Sequence, residues 1–69
     1  MEQAIRDLVR QEPFVPFRTK LVNGDAHDVP YSSTAALLER GVYLALPDGT
    51  WAQFPYRMVA SVEFLVTFE

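Results

Sequence analysis

Residues 13–24 decide the fold, and they read Pro13-Phe14-Val15-Pro16-Phe17-Arg18-Thr19-Lys20-Leu21-Val22-Asn23-Gly24. Proline disfavours helical geometry in the residue before it, so Pro13 ends any helix that precedes it. The residues that follow alternate between two faces and predict a strand over residues 14–22. Asn23-Gly24 predicts a tight hairpin turn because both residue types tolerate positive φ. A helix followed by antiparallel strands is therefore expected.

The flanking sequence predicts the other elements. Residues 2–12 place Ile5, Leu8 and Val9 on one helical face. Strands are predicted over residues 25–29, 42–46, 51–54 and 60–69, with a turn at Pro47-Asp48-Gly49. Residues 55–58 are predicted to be irregular or a single helical turn. Serines before an apolar run and Gly41 after it predict a short second helix over residues 33–40. The predicted fold is mainly β with an N-terminal α-helix. The five antiparallel strands form either a meander or a small open barrel, and a flat sheet with helices on one face is the alternative.

Composition limits the classes of function. The 69 residues form one domain, 1–69, of which 49% are hydrophobic and 13% aromatic. The net charge of −3 opposes binding to a phosphate backbone. The chain has no cysteine and a single histidine, which argues against disulfides and against thiolate or histidine metal sites. No signal peptide or membrane span is visible, so a soluble cytoplasmic protein is expected.

Residues suited to catalysis are few. His27 lies between Asp25 and Asp28 and is interpreted as a solvated surface side chain. Ser32 and Ser33 are interpreted as a helix cap. The sequence therefore predicts a protein that is not an enzyme, with no catalytic residues, no metal site and no cofactor.

Candidate contact residues fall into two groups. Arg18 and Lys20 share the outer face of the first predicted strand, where a solvated face is the simpler interpretation and a small anion or nucleic acid the sharper one. Aromatic residues divide by spacing. The predicted core members are Phe14, Phe17, Phe64 and Phe68, and the predicted stacking platforms or interface anchors are Tyr43, Trp51 and Tyr56.

The last predicted strand points to self-association. Ala60, Val62 and Phe64 alternate with Ser61 and Glu63, and the alternation continues to residue 69. A strand of this length at the edge of a small sheet offers its backbone to a neighbouring chain. A homo-oligomer formed by strand pairing is therefore predicted, and a protein partner is the other expectation.

Two family resemblances follow from these motifs. The helix, the Pro13–Phe17 segment, the Asn23-Gly24 and Asp48-Gly49 turns and residues 59–63 resemble a group of small uncharacterised bacterial proteins, which implies no activity. Val15-Pro16, residues 21–24 and Tyr56-Arg57 through Ser61-Val62 resemble the bacterial Sm-like RNA chaperones (Hfq). That resemblance implies an open five-stranded barrel of the SH3/Sm-like kind. It also implies a ring that binds uridine-rich RNA, with Asn23, Tyr56 and Arg57 near the nucleotide. Met58 stands where that family has a histidine.

Three functional hypotheses result. The first is a small soluble non-enzymatic interaction module that self-associates. The second is an Sm-like RNA-binding ring. The third is a small acidic inhibitor of a nucleic-acid enzyme, of the phage type, although the acidic residues are scattered along the chain instead of forming a stripe.

Overall fold

One α-helix precedes six β-strands in the computed structural model, which describes residues 1–65. The helix and strands are α1 (Glu2–Arg10), β1 (Phe17–Leu21), β2 (Ala26–Val29), β3 (Ala35–Leu37), β4 (Gly41–Ala45), β5 (Trp51–Pro55) and β6 (Val59–Phe64). Single 3₁₀ turns at Ser32–Thr34 and Tyr56–Met58 precede β3 and β6. The prediction of a mainly β fold with an N-terminal helix is confirmed.

The strands form two antiparallel sheets of three. The first has the order β2-β1-β6 and the second the order β3-β4-β5. The predicted number of five strands is wrong for residues 1–65, and a simple meander is also wrong because β6 returns to pair with β1. Within those residues, strand pairing does not join the two sheets into a closed barrel.

The predicted second helix over residues 33–40 is wrong. Only Ser32–Thr34 is helical, as one 3₁₀ turn without a side-chain cap, and β3 follows directly. Ala35 pairs with Leu44, and Leu37 pairs with Val42. Pairing with β4 satisfies the backbone groups on one side of β3, and Ala35 and Leu37 are half-buried, so tertiary contacts override the local helix punctuation.

The first hairpin follows the sequence closely. Phe17, Thr19 and Leu21 are buried, while Arg18 and Lys20 lie on the opposite face, as predicted. Gly24 has a φ of 95°, which closes the turn. β1 begins at Phe17 and not at residue 14, because the preceding Pro16 has no N–H for a strand ladder.

The core lies between the two sheets and one face of α1. Its buried hydrophobic members are Ile5, Phe17, Leu21, Val29, Val42, Leu44, Phe54, Tyr56 and Val59. His27 of β2 stacks on Phe54 of β5, with ring centroids 5.7 Å apart and planes 8° apart. This contact links the two sheets. The prediction of a solvated His27 is therefore wrong, since its side chain is half-buried.

No helix within residues 1–65 combines the length and apolar character that crossing a bilayer requires.

Candidate functional site

An apolar groove runs between α1 and β6. Its cavity volume is about 450 Å³, and its lining residues are Ala4, Asp7, Leu8, Gln11, Val62, Glu63 and Phe64. β6 pairs with β1 on one side, and no other strand of residues 1–65 pairs with its second side. The groove therefore lies next to an open sheet edge, which we call the β6 edge.

Phe64 is the large apolar side chain of this groove. It lies opposite the fully buried Phe17 in the β1–β6 register, yet it is 51% exposed. The prediction that Phe64 belongs to the core is wrong, and Phe14 is only half-buried against the core. Phe68 lies outside the described residues. Phe64 remains half uncovered because it stands on the last strand of its sheet, where no further strand of residues 1–65 lies beside it.

The outer face of the first sheet carries charges of both signs. Arg18 Nε lies 2.6 Å from Asp28 Oδ1, and Arg18 Nη1 lies 3.8 Å from Glu63 Oε1. Lys20 Nζ lies 3.3 Å from the same Glu63 oxygen. The hydrogen bond from Arg18 lowers the pKa of Asp28, and the same bond raises the pKa of Arg18. Both predicted cations thus face carboxylates, with which an anionic ligand must compete.

Two of the predicted RNA contacts come together at one end of the molecule. The Val22 N–H donates a 2.8 Å hydrogen bond to the Met58 carbonyl, so the β1–β2 turn lies against the turn before β6. Arg57 is exposed beside this junction. Asn23 is exposed as well, and its Oδ1 accepts a hydrogen bond from the Asp25 N–H at 3.0 Å, which holds the turn.

Tyr56, the third predicted RNA contact, has a structural role. Its side chain is only 4% exposed, and its hydroxyl donates to the Leu38 carbonyl at 2.8 Å. The guanidinium carbon of Arg6 lies 5.2 Å from the Tyr56 ring centroid, and Arg6 Nη2 donates to the same Leu38 carbonyl at 3.2 Å. The Tyr56 ring is therefore occupied within the chain and offers no open face to a base.

The other two aromatic anchors form a pair on the outer face of the second sheet. Tyr43 and Trp51 stack with centroids 5.5 Å apart and planes 22° apart. Trp51 is 60% exposed and Tyr43 is 36% exposed. The pair covers part of its own apolar area, and its role as a stacking platform or interface anchor stays a prediction.

Sequence reasoning missed the helical wall of the groove. Ala4 and Leu8 of α1 line it together with Gln11, the residue that follows the helix. The spacing of Ala4, Leu8 and Gln11, at i, i+4 and i+7, places them on one helical stripe, and that spacing was the available signal. The spacing does not show which neighbouring element lies beside this stripe without being covered by it.

Residues 1–65 contain no group of three or more His, Cys, Asp or Glu side chains placed to hold a metal ion. Comparison of the chain with protein-family models, with curated proteins and with solved structures gives no match. The arrangement of the β6 edge and its groove is therefore the basis for a functional interpretation.

Proposed function

We propose that this protein is a small non-enzymatic interaction module that self-associates by strand pairing at the β6 edge. One observation carries the proposal: β6 ends its sheet beside an apolar groove in which Phe64 is half exposed. An open edge offers backbone donors and acceptors to another strand. Apolar surface next to that edge adds hydrophobic stabilisation when a strand covers it.

The other edges are less suited to pairing. β5 contains Pro55, which has no N–H to donate to a new strand. β3 has three residues, and β2 has four and is followed by Pro30. β6 has six residues and no proline. Of the sheet edges within residues 1–65, β6 therefore presents the longest backbone free of proline.

We also propose that the fold is an open barrel of the SH3/Sm-like kind. Two three-stranded sheets share one core, and the His27–Phe54 stack brings β2 against β5. The 3₁₀ turn Ser32–Thr34 separates β2 from β3, which pair in different sheets. In an open barrel, a single strand that bends from one sheet into the other would take the place of β2 and β3.

Native mass over a concentration series tests the proposed function. We expect sedimentation equilibrium to give a mass that rises above the 7.9 kDa of one chain. Phe64→Ser should shift association to higher concentration by about tenfold, because it removes apolar area from the contact. Trp51→Ser is the matched control, since Trp51 is an exposed aromatic residue on the other sheet, and it should leave association unchanged. A wild-type mass that stays at one chain throughout would overturn the proposal.

A second candidate function is binding of uridine-rich RNA. The Val22–Met58 hydrogen bond favours it, because that bond brings Asn23 and Arg57 to one surface. Binding should be strongest at low salt, where phosphate attraction is greatest. Arg57→Ala should weaken it, while Arg10→Ala, which removes an exposed arginine from α1, should not. Failure to retain labelled RNA at low salt would exclude this candidate.

A further inference from the structure

We infer that the partner at the β6 edge is a second copy of this chain, paired antiparallel about a two-fold axis at Val62. The inference rests on the proposed function and specifies its partner, its register and its stoichiometry. In this register Val62 opposes Val62, Ser61 opposes Glu63, and Ala60 opposes Phe64. Five residue pairs result.

The bulge in β6 limits which residues can pair. Lys20 pairs with Ser61 and the next residue, Leu21, pairs with Val59, so Ala60 is the extra residue on β6. A bulge increases the local twist and turns the strand away from a straight edge. Val59 is also buried in the core. Residues 60–64 are therefore the part of β6 that a second strand can follow.

Strand length and charge select one register among those that two-fold symmetry allows. Residues that oppose each other about such an axis point to the same face of the sheet. One residue of the strand must therefore oppose its own copy at the axis. Within residues 60–64, an axis at Ala60 or Phe64 leaves one opposed pair, an axis at Ser61 or Glu63 leaves three, and an axis at Val62 leaves five. An axis at Glu63 places two carboxylates directly opposite each other, which is unfavourable. An axis at Ser61 pairs Glu63 with Val59, beyond the bulge. The axis at Val62 avoids both and places Glu63 opposite the small polar Ser61.

The same register extends the charge pattern of the outer face. Within one copy, Asp28, Arg18 and Glu63 lie side by side across β2, β1 and β6. Across the new contact the row continues through Ser61 to Lys20 of the second copy, because Lys20 lies opposite Ser61. The charges of Asp28, Arg18, Glu63 and the second copy's Lys20 are then negative, positive, negative and positive along the row. Ser61 is short, so Glu63 and the second copy's Lys20 approach each other over it.

The inner face is complementary in size. Phe64, the half-exposed residue of the groove, lies opposite the small Ala60 of the second copy. Val62 is half-buried in the single chain and meets its own symmetry mate at the axis. Both copies contribute the same edge, so pairing consumes it and the assembly closes at two chains.

Cysteine cross-linking tests the register, because the chain has no cysteine of its own. Residues directly opposite in an antiparallel pair have Cα atoms roughly 4.5–5.5 Å apart, which a disulfide can bridge. Under a mild oxidant, Val62→Cys should form a disulfide-linked dimer at least about tenfold faster than Ser61→Cys or Glu63→Cys, which do not face their own copies. Faster cross-linking of either of those two variants would overturn the register.

A pair of charge variants tests the edge. Lys20 lies between Ser61 on β6 and Ala26 on β2, so Ser61→Glu and Ala26→Glu each place a carboxylate beside the same lysine. Ser61→Glu also faces Glu63 of the second copy, twice per dimer, and should weaken dimerisation by about tenfold. Ala26→Glu, on the opposite edge of the sheet, should leave it unchanged.

Sedimentation equilibrium of these variants separates the two proposals. The inference is supported if the wild-type mass reaches a plateau at two chains and if Ser61→Glu, but not Ala26→Glu, weakens dimerisation. Association that continues past two chains, or that Ser61→Glu does not affect, overturns the inference and leaves self-association standing. A wild-type chain that stays monomeric overturns the proposed function itself.

Discussion

At the scale of single residues, Phe17 and Phe64 show how position in the sheet decides how much a phenylalanine contributes to stability. They lie opposite each other in the β1–β6 register, but Phe17 is 1% exposed and Phe64 is 51% exposed. Phe17→Ala should lower the free energy of unfolding by about 3–5 kcal/mol, because it leaves a cavity in the core. Phe64→Ala should cost less than about 1.5 kcal/mol under dilute conditions, since half of its ring already contacts water.

Urea unfolding of both variants, at a concentration where the chain is monomeric, measures this difference. Equal losses would mean that Phe64 is packed as fully as Phe17, and the groove would then be filled in solution.

Asp28 makes the free energy of unfolding depend on pH in the acidic range. Its pKa is lowered by the Arg18 hydrogen bond. The unfolded chain, with a pKa near 3.8, therefore takes up this proton before the folded chain does. The stabilisation is fully present above that value and is lost as the pH falls through the lowered pKa. Asp28→Asn should be less stable than the wild type at pH 7, and the difference should vanish in strong acid.

Urea unfolding at a series of pH values checks this dependence. Arg18→Gln removes the hydrogen bond that lowers the pKa, so Asp28→Asn in that background should change stability little at any pH. If Asp28→Asn remains less stable than the wild type by the same amount in strong acid, the stability difference does not come from the ionised Asp28 carboxylate.

At the scale of elements, the Leu38 carbonyl ties three parts of the chain together. It accepts hydrogen bonds from the Tyr56 hydroxyl and from Arg6 of α1, while Leu38 itself follows β3. Tyr56→Phe removes the first of these bonds and should cost about 0.5–1.5 kcal/mol. Tyr43→Phe is the matched control, because Tyr43 is a tyrosine on the outer face of the second sheet.

Thermal unfolding followed by circular dichroism measures both tyrosine variants. If Tyr43→Phe costs as much as Tyr56→Phe, the hydroxyl of Tyr56 does not contribute through Leu38.

The elements also show what a sequence alone can predict. The helix, the first hairpin and the turn at Asp48-Gly49 were predictable because each depends on neighbouring residues, such as Gly49 with a φ of 88°. β3 was not, since Ala35 and Leu37 become a strand only through pairing with β4. Gly41 suggested a helix end, but it is buried in β4 opposite Pro55, where a Cβ would collide with the Phe54 carbonyl.

The candidate site was predictable in part. Alternation along residues 60–64 predicted a half-buried strand. Its place at the edge of the sheet depends on strand pairing, and the groove depends on how α1 lies relative to β6, which no local pattern encodes. The same limit applies to Tyr56, whose burial depends on contacts with Arg6 and Leu38 from distant parts of the chain.

At the scale of the whole molecule, the proposed self-association predicts that stability depends on protein concentration. A 69-residue domain buries only about 60% of the surface of its unfolded chain, so its stability margin is small. A second copy that binds only the folded chain adds stability by mass action. The wild-type Tm should therefore rise with protein concentration, and the rise should be smaller for Ser61→Glu. A Tm independent of concentration, over the range in which the mass changes, would contradict this prediction.

The stacking of His27 on Phe54 gives the molecule an internal spectroscopic probe. The chain has one histidine, so its imidazole protons give one unambiguous set of NMR signals without isotope labelling. The near-parallel Phe54 ring, 5.7 Å away, displaces those signals by its ring current. Because one ring belongs to each sheet, the displacement persists only while the two sheets remain packed together. The histidine signals therefore report separation of the sheets independently of any change in secondary structure.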